Sequence, residues 1–188
     1  EKLLKEANSR TQAIRHIQPH LTKTECMNAA HGLFFSKLYY CSSVWLTDIL
    51  SKSLMKRITS SSNACLRAVF GYRIKDISTS DLHEKANILT PFQKAYYDKA
   101  VMFWRIINNC EPLELFMDLL LQGAHNKRQG IFHLQQSNME RVGKFSFANR
   151  LNDIIPLLSD SWLDKSEKQM KKTLKDKILE IVPAKCDS

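Results

Sequence analysis

The chain has 188 residues, with 28 Lys and Arg against 19 Asp and Glu, for a net charge of +9. It holds only 5 Gly and 5 Pro, about half the usual share, which argues against turn-rich all-β folds and Gly-rich nucleotide-binding α/β folds. The 5 cysteines (Cys26, Cys41, Cys65, Cys110, Cys186) are odd in number and widely spaced, so they suggest small buried thiols in a reducing intracellular compartment, cytoplasmic and/or nuclear, rather than a disulfide framework or zinc knuckle.

From Glu1 to Gln18, Leu3, Leu4, Ala7, Ile14 and Ile17 recur close to helical spacing, and Pro19 is expected to end that helix. The chain opens on Glu1 rather than Met, which suggests a piece of a longer product. Its charged start holds no signal-peptide core. Thr22 or Thr24 can cap a second helix through Met27, Ala30, Phe34 and Leu38, towards Tyr40. A third pattern begins at Asp48 and closes at Gly71, placed as a C′ glycine would be. Three helices joined by short links favour antiparallel neighbours.

The third helix, about residues 49 to 70, carries the most information. At 100° per residue, Leu54, Ile58, Cys65, Ala68 and Val69 share one side. Lys52, Lys56, Asn63 and Arg67 form a narrow arc opposite, and no acidic residue lies between Lys52 and Arg73. Such an arc reads either as a solvated face or as a surface that tracks phosphates, which favour Lys and Arg without compensating carboxylates. Residues 49 to 109 hold 10 basic and 4 acidic side chains, whereas residues 110 to 140 hold 2 and 4, so the excess charge is concentrated centrally. Nucleic acid is therefore a better partner than membrane. No apolar run approaches the roughly 18 residues of a membrane-spanning helix.

Ser80-Asp81-Leu82-His83-Glu84 reads as a short helix start. Thr90-Pro91-Phe92-Gln93 combines an N-cap, an N1 proline and an N3 glutamine in a capping box. The helix it opens places Phe92, Tyr96, Phe103, Ile106 and Ile107 on one face, with Lys94, Asp98 and Arg105 opposite and Trp104 at the edge. Its aromatic stripe reads as core before it reads as a base-stacking platform. Glu111-Pro112 begins another helix that Gly123 stops. Residues 123 to 145 hold three of the five glycines and read as a long connection. A helical pattern resumes from Phe145 to Leu158, and Ser166-Glu167-Lys168 opens a last amphipathic helix over Met170, Leu174, Ile178 and Ile181.

A search for catalytic chemistry finds little. There is no G-x-S-x-G elbow, no P-loop and no dinucleotide fingerprint. His16 and His20 stand four apart, but Pro19 interrupts them. His83-Glu84 is not part of an H-E-x-x-H motif, because Asn87 takes the last position. No two aspartates are adjacent, although two-metal polymerase chemistry needs clustered carboxylates. The expectation is no catalytic residue, no metal site and no cofactor.

The order of motifs resembles the region downstream of the catalytic palm in non-LTR (LINE-type, jockey-like) retrotransposon reverse transcriptases. Phe35–Trp45 is similar to that family's "s-x-l-x-Y-g-x-x-v-W" segment, and Asn63–Gly71 to its "q-n-x-a-l-R-x-i-x-g". Ser80–His83, Ile88–Pro91 with Gln93, the basic blocks Asn126–Gln129 and Phe147–Arg150, and the closing Lys172–Leu179 follow in the family's order across nearly the whole chain. The resemblance implies an all-α fold: a thumb-like antiparallel three-helix bundle over residues 1–76, then a helical extension over 77–188 with a loose connection near 123–145. It implies a fragment that grips an RNA template and its RNA–DNA duplex by the backbone and packs behind the upstream palm of the same polyprotein. Lys52, Lys56, Asn63 and Arg67 would lead that grip, with Arg73, Lys75, Lys127, Arg128, Arg141 and Arg150 in support. The palm's paired aspartates are missing here, so Mg2+ is expected only for the absent palm, and the chain alone is expected to be inactive as a polymerase. The alternative is a retrotransposon-derived helical protein-interaction module without nucleic-acid function, using aromatics such as Trp45 and Trp104 and the amphipathic last helix.

Overall fold

A computed structural model of the chain describes residues 2–40, 42, 46, 50–109 and 165–181. Every regular element among them is helical, as an all-α chain requires. Helix α1 (Lys2–Ile17) gives way at Pro19 to a tight turn over Gln18–His20. Thr22 then caps α2 (Lys23–Ala30): its hydroxyl accepts from the Glu25 N–H while the Glu25 carboxylate accepts from the Thr22 N–H. This reciprocal pair satisfies two N–H groups that the first turn leaves without partners.

The second helix does not run evenly to Leu38. Between α2 and α3 (Ser36–Leu38) the backbone widens into a π turn over His31–Phe35. Two side chains take up carbonyls there: Arg10 Nη1 donates to Leu33 O at 2.8 Å and Ser36 Oγ to Gly32 O. The widened turn sends Phe34 and Phe35 inward, edge to face at 5.0 Å.

Helix α4 (Lys52–Phe70) starts at Ser51, whose hydroxyl accepts from the Leu54 N–H, and ends at Gly71, where φ is +72°. Only a residue without Cβ enters that left-handed region freely, which is why the helix stops there. Helix α4 is central. Of its expected apolar side, Ile58, Cys65, Ala68 and Val69 are buried and Leu54 is half-buried, and the polar Thr59, Ser61, Ser62 and Asn63 are buried as well. The small Ser61 side chain faces α1. Ser61 Oγ reaches Asn8 Oδ1 across that seam at 2.6 Å. Burial pushes the Cys65 thiol up to about 12, so it is a packed, unreactive group.

A short helix and the start of a longer one complete this part. Ser78 caps α5 (Thr79–Ala86), and Asn87 ends it in a left-handed conformation. Thr90 and Gln93 close the anticipated capping box at the start of α6 (Pro91–Asn109). Leu82 of α5 and Ala95 of α6 join the same buried cluster as Ile14, Phe34 and Leu66. The first compact unit runs to Ala95, with His83 of α5 tied to Asn63 of α4.

The second unit begins at Tyr96, within α6. It buries Phe103, Trp104 and Ile106 of α6 and Met170, Leu174 and Ile178 of α7 (Glu167–Ile181). Ser166 and Gln169 cap α7 reciprocally. Glu167 is bridged by Arg105 at 2.6 Å and by Lys171, and those two cations hold its carboxyl below the usual range. Trp104, read from the sequence as an exposed anchor for a protein partner, is only 7% exposed and belongs to this packing. Trp45, the Glu111–Pro112 helix, the connection over 123–145 and the Phe145–Leu158 pattern lie outside the described residues.

Candidate nucleic-acid interface

One groove of about 1520 Å³ lies on the first unit. Its axis is α4, whose Lys52, Lys56 and Arg67 project along one side, and the turn after Gly71 adds Arg73 and Lys75. Arg15, near the end of α1, supplies a sixth cation. Among the described lining residues the only carboxylate is Asp76, and its Oδ2 accepts a 2.6 Å hydrogen bond from the Arg73 N–H. Six cations against one internally engaged carboxylate leave a surface suited to a polyanion. Tyr72, Ile74 and Phe92 add apolar surface to the same lining.

The helical arc read from the sequence divides into two halves. Lys52 and Lys56 are exposed, as a solvated or phosphate-facing stripe requires. Asn63 is not: it is 7% exposed, and His83 Nε2 of α5 lies 2.8 Å from its Oδ1. His83 Nδ1 sits 3.2 Å from the Ile88 carbonyl. A neutral imidazole has one N–H, so donating it to the Ile88 carbonyl leaves Nε2 to accept from an Asn63 amide turned by half a rotation about its last torsion. Burial holds the ring's pKa down, the nearby Arg67 charge adds to that, and the Ile88 hydrogen bond opposes it. Asn63 is thus occupied in joining α5 to α4. It lines the groove yet is buried, because α5 packs against the arc's C-terminal half, which a helical wheel does not show.

Arg67 is intermediate between the two halves. It lines the groove half-buried, and its Nε has no hydrogen-bond partner among the described residues. Arg73 and Lys75 are both exposed. Lys127, Arg128, Arg141 and Arg150 lie outside the described residues. Arg15 was missed by sequence reasoning, since it stands alone near the end of an amphipathic helix and only folding carries it to α4.

Among the described residues no group of three or more His, Cys, Asp or Glu side chains could hold a metal ion, and no helix is long and apolar enough to cross a membrane. His16 and His20 are both exposed. Compared with known protein families, characterised proteins and solved structures, the chain matches none.

Proposed function

We propose that the first unit is a nucleic-acid grip, the thumb-like part of a non-LTR retrotransposon reverse transcriptase, and that its groove holds an RNA–DNA duplex by the phosphate backbone. The observation that carries this reading is the groove itself: Arg15, Lys52, Lys56, Arg67, Arg73 and Lys75 converge on one surface, with Asp76 the single carboxylate among the described lining residues. The parentage rests on the order of motifs along the sequence, and the upstream palm would be the second partner. In this reading the chain contributes no catalytic group. Catalytic carboxylates and their Mg2+ would belong to the palm.

The test is binding of a short RNA–DNA duplex as salt is varied. If six phosphates are neutralised, log affinity falls against log salt with a slope of about −5, which is roughly a thousandfold loss between 50 and 200 mM. Replacing Lys52, Lys56 or Arg67 by Ala makes the slope shallower by about 0.9 each. Affinity that does not change with salt, or that survives all three replacements together, refutes the proposal.

A further inference from the structure

Residue 74 is an isoleucine where turn chemistry favours something else. The chain reverses over Arg73–Asp76, closed by a hydrogen bond from the Asp76 N–H to the Arg73 carbonyl at 3.2 Å. Asp76 closes it a second time by accepting the Arg73 N–H at 2.6 Å. Ile74 and Lys75 therefore occupy the two central positions of a doubly tied turn. Central turn positions favour Pro, Gly, Asn, Asp and Ser, while a β-branched residue such as Ile fits a strand or a core. Ile74 serves neither: it is 79% exposed, the most exposed of the large hydrophobic side chains described. A local rule broken without gain in packing is what a functional position looks like.

The surroundings say what the exposed side chain meets. Ile74 lines the basic groove between Arg73 and Lys75. Apolar side chains flanked by cations are how proteins enter the minor groove of a duplex: the cations take the phosphates on either side, and the apolar group rests on sugars or base edges between them. The minor groove of an A-form helix is wide and shallow, with sugar faces that a short side chain can reach.

We infer that Ile74 is an apolar probe that the Arg73–Asp76 turn holds in the minor groove of the bound duplex, adding a contact that salt does not screen. This rests on the groove being a duplex site, and it adds a component that a purely electrostatic grip lacks. The Asp76 carboxylate ties the turn from within by accepting the Arg73 N–H.

The experiment compares Ile74→Ala and Lys75→Ala with the unaltered chain, titrating the same RNA–DNA duplex at several salt concentrations. Removing most of one Ile side chain from a half-covered site lowers affinity roughly fivefold to tenfold, by the same factor at every salt concentration. Lys75→Ala instead makes the salt slope shallower by about 0.9. Because Ile74 is so exposed, thermal unfolding of Ile74→Ala should match the unaltered chain, which separates lost contact from lost fold. If Ile74→Ala binds as tightly as the unaltered chain, the inference falls, the groove reading stands, and Ile74 is left for a protein contact. A changed salt slope for Ile74→Ala also overturns the inference, since the side chain would then be acting through the neighbouring charges. If the unaltered chain does not bind duplex at 50 mM salt, both readings fall.

Discussion

Replacing Asn63 by Ala separates the two roles that its position allows. Were Asn63 a phosphate contact, its loss would weaken duplex binding and leave the fold alone. Its side chain is instead buried against His83, 2.8 Å from a ring nitrogen that is itself buried. Truncation leaves that nitrogen without a partner and away from water, at a cost of about 1–3 kcal/mol. For a cooperative unit of this size each kcal/mol lowers Tm by about 4–8 °C, so Asn63→Ala should melt roughly 5–20 °C earlier. The assay is urea and thermal unfolding of the full chain, with duplex affinity measured where both proteins are fully folded. Adding His83→Ala should cost less than the two single losses together, because with both side chains gone neither Asn63 nor His83 is left without its partner. An Asn63→Ala chain of unchanged stability whose salt slope falls like that of Lys56→Ala would refute this reasoning and return Asn63 to the interface.

Two further outcomes follow from the same packing. The folded His83 ring resists protonation because it is buried and close to the Arg67 charge, whereas the unfolded ring takes up a proton near its ordinary value of 6.5. The unfolded state therefore binds more protons below that value, and stability should fall as pH drops from 6.5 towards the folded ring's lower pKa, with no such dependence above it. Urea midpoints at pH 7.5 and 5.5 measure this, and an equal pH dependence in His83→Gln would assign it elsewhere. Gly71→Ala should cost about 1 kcal/mol through backbone strain alone: φ is +72°, while the nearest atom to an added Cβ would be Gln18 Nε2 at an ordinary 3.5 Å. Gly71→Asn should recover part of that loss in the same melts, since Asn tolerates the left-handed region.

Much of the helical framework was legible because its signals are local. Pro19, Thr22 with Glu25, Gly71, Thr90 with Gln93 and Ser166 each act within one turn, and each ends or starts a helix where its chemistry says it should. The π turn at His31–Phe35 was not legible. Ala30, Phe34 and Leu38 keep a helical spacing through it, and the carbonyls are taken up partly by Arg10, which is remote in sequence. Trp104 was misplaced for a related reason. At the edge of an apolar stripe, exposure depends on what packs beside the helix, and no spacing rule supplies the neighbour.

The amino-acid sequence by itself determined that the described chain is helical, where most of those helices begin and end, and that positive charge gathers on the helix from Lys52 to Arg67. Periodicity, capping and net charge are properties of neighbouring residues and need no tertiary contact. The tertiary structure decided which of those residues face a groove. It brought Arg15 from α1 to the cations of α4, tied Asn63, which still lines the groove, to His83 of α5, and left Ile74 standing at the tip of a tied turn. Burial of one helix face is set by the helices that cross it, and a helical wheel drawn for that helix alone does not contain them.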